Sequence, residues 1–340
     1  MRFGFMEDFR NPVKWRRPFP AFYKAILDQI VRAEELGYDN VWLTEHHFTE
    51  DAYNPSMFPT AAAIAARTSR IRIGTFIHLL PFAHPVRAAE DLACADILSD
   101  GRIDYGIGQG YSHHEWSAFC MNRSERGMRM REGIELMVRL FKEDKVTFNG
   151  KFTQTKEMTL SPKSVQQPHP PIWIGARGPK AITRAAEMGY HLMATLGPDP
   201  APLYVDTLKA NGHDPDDFKI AQLRMVYCAQ TEDQAWAECQ HHLYHLFDFY
   251  AEILAEANDA EGDDQPLPIT CAEDIRHSPL AEHLMIGTPD QVARKLEKFC
   301  DTFRCTDFIM DSQFPGLDPA LGTRSMELFA KEVMPAFRQH

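Results

Sequence analysis

Val41-Trp42-Leu43-Thr44-Glu45-His46-His47-Phe48-Thr49-Glu50 passes from an apolar run straight into a carboxylate and two adjacent imidazoles. Such a run fits a strand buried on both faces, as in a parallel sheet. Its polar end delivers ionisable side chains to one edge of that sheet. Adjacent strand residues point to opposite faces, so one of His46 and His47 faces a pocket while the other packs behind it. Histidine exchanges protons near neutral pH, so the pair reads either as acid–base machinery or as structural histidine.

Working outward, further strand-like runs occur at Arg2–Met6, Asn40–Glu45, Ile71–Leu79, Ile103–Gly108, Pro171–Ala176, His191–Thr195, Ile220–Ala229 and Asp307–Ser312. Helix-sized segments lie between most of them. Phe22, Ile26, Ile30 and Ala33 recur at helical spacing, with Gly37 as C-cap. Thr288-Pro289-Asp290-Gln291 has the form of a capping box, and Asp318-Pro319 and Asp199-Pro200 repeat the cap-then-proline signal. Eight alternating units predict an α/β fold, a closed (β/α)8 TIM barrel with insertions. The rival doubly wound open sheet lacks a Gly-x-Gly-x-x-Gly after the first strand.

Two segments break the alternation. Val146 to Pro171 contains the hairpin dipeptide Asn149-Gly150. Glu256 to Leu284 is acidic, proline-bearing and weakly periodic, and reads as a lid insert at about 256–285 or as a surface loop. The chain is otherwise expected to be a single domain over 1–340.

Composition narrows the function classes. The 340 residues, 44% hydrophobic, suffice for one large core. No apolar run reaches about 18 residues, so no membrane span is expected. Seven cysteines without a Cys-x-x-Cys pair argue for a reducing, cytoplasmic setting. Cys94, Cys239 and Cys300 lie in helical patterns and read as core residues. A formal charge of −12 disfavours nucleic acid as partner.

In a barrel the residues just past each strand converge on one mouth. They include Glu45, His46 and His47; Phe76, Ile77 and His78; Gly106-x-Gly108-Gln109-Gly110-Tyr111; Gly175-Ala176-Arg177-Gly178; and Leu196-Gly197. In Ile172 to Ala181 a strand runs into small residues before Pro179 opens a helix. The helix terminus and the Arg177 fork suit an anion, and an ordinary short loop is the plainer reading. The glycines after the fourth strand occur where side-chain bulk would block a pocket. Glu45, His46, His47 and Glu50, His113-His114-Glu115 and His241-His242-x-x-His245 are residue types that could ligate a metal. No zinc-type spacing supports such ligation, and no metal is expected. No Gly-x-Ser-x-Gly element favours a serine hydrolase.

At this point the chain resembles the luciferase-like flavin monooxygenases. The resemblance rests on Val41–Glu50, Gly74-Thr75-x5-Pro81, Ala83-His84-Pro85-Val86-Arg87-x3-Asp91 and Gly101-Arg102-x3-Gly106-x-Gly108-x-Gly110. Ile286-Gly287-Thr288-Pro289 and Leu328-Phe329-x3-Val333-Met334-Pro335 extend it to the C-terminal region. Glu45-His46-His47 places the chain nearer the FMN-using branch than the deazaflavin branch.

The resemblance implies reduced FMN (FMNH2) delivered by a separate NAD(P)H flavin reductase. It also implies a monooxygenase that inserts one atom of O2 through a flavin C4a-hydroperoxide. His46 would then be the general base, with Glu45 near the flavin edge and His47 beside it. Phe76-Ile77 matches a non-proline cis peptide under the ring, the kind of feature found at functional sites. Arg177 and Gly178 match the phosphate site, with Arg126, Ala176 and Ala181 near it, and Gly108, Gln109 and Tyr111 also face the cofactor. Luciferase itself carries a cysteine at Gly108, an arginine at Gln109, an acid at Arg177 and an indole at Leu196. These departures point away from light emission. The expected substrate wall (Phe5, Phe76, His78, Tyr111, Trp116, Leu196) is aromatic and apolar, implying a hydrophobic or aromatic small molecule.

Alternatives are a deazaflavin- or FMN-dependent hydride-transfer oxidoreductase, a non-catalytic flavin-binding protein and a metal-dependent hydrolase. The alanine-rich helices Thr60–Thr68 and Val86–Leu98 match the family's dimer surface, implying a homodimer.

Overall fold

The computed structural model describes residues 1–195, 197–257 and 269–338. The strands are β1 (Arg2–Glu7), β2 (Asn40–Leu43), β3 (Arg72–Thr75), β4 (Ile103–Ile107), β5 (Val146–Asn149), β6 (Gln154–Met158), β7 (Ile172–Gly175), β8 (His191–Ala194), β9 (Ile220–Cys228), β10 (Met285–Gly287) and β11 (Asp307–Asp311). All pairings in the main sheet are parallel, in the order β11-β1-β2-β3-β4-β7-β8, and β9 pairs with both β8 and β11 to close the barrel. The fold is the expected (β/α)8 TIM barrel.

Helices α1 (Phe19–Glu35), α2 (Met57–Ala65), α3 (Pro85–Leu98), α4 (His113–Ala118), α5 (Arg126–Lys142), α6 (Pro179–Glu187), α7 (Ala201–Ala210), α8 (Glu232–Ala257), α9 (Ala272–His277), α10 (Pro289–Thr302), α11 (Pro319–Glu332) and α12 (Met334–Arg338) follow. Local signals set their ends. In α1 the stripe Phe22, Ile26, Ile30 and Ala33 is buried, and Gly37 takes φ +89° just past its end. The Thr288–Gln291 capping box starts α10, and Asp318 accepts the Ala320 N–H at the start of α11.

Alternation along the strands splits the core into two layers. Val41 and Leu43 face the helices, whereas Trp42 joins Met6, Trp173, Met193, Leu223 and Ile309 inside the barrel. Room for the indoles comes from glycine: a Cβ on Gly74 would meet Trp42 Cε3 at 2.0 Å. Trp42 and Trp173 meet edge to face at 5.4 Å.

Several expectations need correction. The third strand stops at Thr75, where the Phe76–Ile77 peptide is cis. β10 was not expected; it extends the far end of β9 outside the barrel. β5 and β6 form the hairpin around Asn149-Gly150, off the barrel. Phe5 faces the helices, against Tyr38 at 5.5 Å, and is no pocket wall. Cys239 is buried, but Cys94 and Cys300 are exposed, because their positions fall on outer helix faces. Part of the acidic segment is firmly packed: Ile275, Leu280 and Leu284 join a second core with α8 and β9. Residues 258–268 of that segment, and Leu196, lie outside the described residues. No helix among the described residues is long and apolar enough to cross a membrane.

Candidate active site

Past the end of β2 the two histidines diverge as strand geometry requires. The His46 ring lies on the barrel side, edge-on to Tyr53 at 4.8 Å, Tyr111 at 5.6 Å and Phe249 at 6.0 Å. His47 turns outward against Phe119 at 5.0 Å and Phe82 at 6.0 Å.

Two carboxylates fix the pair. Glu115 Oε1, at the start of α4, lies 2.9 Å from His46 Nδ1 and accepts the His47 backbone N–H at 2.8 Å. That network assigns the His46 proton to Nδ1 and leaves Nε2 toward the Tyr111 hydroxyl, 3.3 Å away. Glu45 turns away from the mouth. Its Oε1 lies 2.7 Å from His47 Nε2, and its Oε2 accepts the Leu79 N–H at 3.1 Å. Burial alone would raise the Glu45 carboxyl, but His78, His47 and the Leu79 N–H hold it below its ordinary value. Glu45 is thus an anionic brace for the wall behind His46.

His78 belongs to the same wall. Its Nδ1 meets the Tyr105 hydroxyl at 2.8 Å, and its ring sits over Phe58 of α2 at 5.2 Å, on the helix side of the barrel. Burial lowers its pKa, favouring the neutral ring. Trp116 is also behind the mouth: fully buried, it donates to the Gly110 carbonyl at 3.3 Å and packs on Phe82 at 4.7 Å.

Phe76 and Ile77 lie inside the barrel with the tryptophan layer. The neighbouring glycines exist for Ile77: a Cβ on Gly108 would fall 1.7 Å from Ile77 Cδ1, and one on Gly175 would fall 2.9 Å from its Cγ2. A side chain at Gly108 would therefore have to displace the Ile77 side chain.

The anion element forms as expected. α6 opens with Pro179, and Gly178 precedes it at φ +79° with no capping side chain and open space where a Cβ would stand. Ala176 is buried, Ala181 is half-buried and Arg177 is exposed. Gln109 reaches the start of α5, where it and Arg184 flank Gly127, next to Arg126. Tyr111 joins the two halves. Burial pushes its phenol well above the ordinary value, so it stays a neutral donor, and the Arg177 charge pulls in the opposite sense. Arg177 and His46 thus act on one tyrosine hydroxyl at one pole of the barrel.

Sequence reasoning missed the cover of this site. Phe249 and Tyr250, late in α8, lie over His46, and the Tyr250 and Tyr53 hydroxyls meet at 3.0 Å. Asp51 draws α8 down, contacting His245 Nε2 at 3.5 Å and Arg10 Nε at 2.5 Å. Burial would raise the Asp51 carboxyl, but His245 and Arg10 bring it down to about 2. The signal available in the sequence was the aromatic stripe of α8, which reads equally well as ordinary core.

A family profile described as luciferase-like monooxygenase matches residues 1–303. The chain belongs to the luciferase-like monooxygenase family, and it is an enzyme. The oxygenase component of the flavin-dependent trigonelline monooxygenase of Acinetobacter baylyi is 29% identical over 343 residues, covering 93% of this chain and 91% of the relative. An F420-dependent glucose-6-phosphate dehydrogenase of Microbacterium testaceum is 26% identical over 330 residues, covering 92% and 93%. Among solved structures, the monooxygenase RslO1 from Streptomyces bottropensis matches with a TM-score of 0.83 at 27% identity, covering 99% of this chain and 100% of that one.

Proposed function

We propose that this protein is the oxygenase component of a two-component monooxygenase, using FMNH2 from a separate NAD(P)H flavin reductase and inserting one atom of O2 into a hydrophobic or aromatic small molecule. The carrying observation is the shared Tyr111 hydroxyl, in hydrogen-bond reach of His46 and within the field of Arg177. A planar cofactor with a phosphate tail would have its tail at Arg177 and its ring toward His46. Its phosphate would be held by Arg177, Gly178 and the α6 terminus, with Arg126 and Gln109 from the next loop. Phe76, Ile77, Ala176 and Ala181 would form its bed.

When bound, reduced flavin supplies the electrons that activate O2. The protein's own work is proton management and exclusion of water. Glu115 fixes the His46 tautomer, so Nε2 can accept a proton from the mouth and return it. Tyr111, Tyr53 and Tyr250 remain neutral and close the mouth with Phe249. Glu45, His47, His78 and Trp116 hold the wall behind. We further read the chain as one cytoplasmic domain and a homodimer through α2 and α3.

Turnover of FMNH2 under 18O2 tests this reading: one labelled oxygen atom in the product supports it. The F420-dependent relative motivates a second reading, hydride transfer on the same barrel. Unlabelled product formed with a deazaflavin would favour that alternative and sink the first.

A further inference from the structure

Arg10 is left unused by the proton chemistry above. It follows β1, and its side chain is fully buried. Nε donates to Asp51, and the backbone N–H donates to Asp8 Oδ1 at 2.9 Å. Nη1 and Nη2 have no hydrogen-bond partner among the described residues. The guanidinium carbon lies 4.1 Å from the Phe249 ring centre and 5.2 Å from that of Tyr53. Those faces attract the charge but offer its N–H groups no in-plane acceptor. The same two rings flank His46, so guanidinium and imidazole lean on one aromatic pair.

We propose that Arg10 is the specificity anchor of the site, its two Nη groups binding the carboxylate of an aromatic substrate whose body lies toward His46 against Tyr53 and Phe249. A planar, singly charged acceptor matches the guanidinium fork and this enclosure. A dianion is disfavoured because Asp51 already sits against the same guanidinium. The other nearby acids, Asp8 and Asp311, are both pushed upward by burial, so either can shed its charge by taking a proton as an anion enters. The proposal deepens the monooxygenase reading and rests on His46 marking the reacting centre.

The test is a calorimetric titration of the full-length protein, with and without FMN, using benzoate, benzamide and benzylammonium as probes of one shape. Benzoate is expected to bind at least about tenfold tighter than either of the others, the scale of a paired charged contact. Arg10→Lys keeps the charge but loses the fork, and should erase most of that preference. The wild-type ranking needs no substitution. The proposal is overturned if benzamide or benzylammonium matches benzoate, if benzoate does not bind at millimolar concentration, or if Arg10→Lys keeps the full preference. Failure of the monooxygenase reading would show separately, as absent 18O incorporation with the benzoate ranking intact.

Discussion

The two ends of the barrel treat buried charge in opposite ways. At the floor, Arg72 Nε lies 2.6 Å from Asp104 Oδ2, Trp173 donates to Asp104 Oδ1 at 3.3 Å, and Thr306 donates to Asp307 at 2.7 Å. At the mouth, both Glu7 oxygens, Asp311 Oδ2, Glu115 Oε2 and the Arg10 Nη atoms have no hydrogen-bond partner among the described residues. Neutral polar atoms without a partner occur at the floor too, at Asn40 and Gln222, so the contrast lies in the charged groups. Arg2 and Asp307 of the floor form an ion pair, whereas the charged atoms just named at the mouth have no such partner, which marks where the fold gives up stability for binding. The floor reads as scaffold and the mouth as chemistry, the usual division in such barrels.

The sharpest way to break this contrast is His46→Ala. Product formation should fall by about 10²–10⁴-fold while FMN affinity and thermal midpoint stay near wild type. A lost midpoint with turnover unchanged per folded molecule would make His46 a floor-type residue. Asp104→Ala should do the reverse, costing about 3 kcal/mol in urea unfolding, since it removes the carboxylate paired with Arg72 Nε and the acceptor of the buried Trp173 N–H. Its turnover per folded molecule should be unchanged.

The pH dependence of stability should also separate the ends. At the floor, burial, then Lys219, depresses His191 from 6.5 to about 4. The unfolded chain binds that proton first, so stability falls as pH drops from about 6.5 toward 4, by about 3 kcal/mol in all. His191→Asn should flatten this limb. At the mouth, burial lifts Asp8 from 3.8 to about 6. Its native form takes the proton first, so the stability it adds is present in acid and is lost as pH rises from about 4 through 6. Asp8→Asn should remove that opposite slope, and urea titrations across this range that leave both slopes unaltered would refute the assignment. The smallest effect is expected from exposed Arg177: Arg177→Ala should weaken FMN about tenfold and leave riboflavin binding unchanged, read by flavin fluorescence.

Much of this was legible in the chain. The alternating runs gave the barrel, and the strand-end rule allowed only one of His46 and His47 to face the mouth. Proline and glycine gave the α6 opening. What failed did so for identifiable reasons. Glu45 looked like a mouth residue because it adjoins His46, yet neighbours on a strand face opposite ways. Phe5 failed by the same rule. Gly108 suggested space for a ligand, but Ile77 occupies the place of its Cβ.

Periodicity, capping and turn chemistry act over a few residues, so the sequence alone determined the strand–helix order, the barrel and the position of its reactive edge. Only the closed structure decided which groups meet there. Glu115 is 69 residues from His46, and Tyr250 is 197 residues from Tyr53. A side chain's protonation and pairing depend on burial and on charges brought in from distant elements, and these exist only once the sheet has closed and α8 has settled over its mouth.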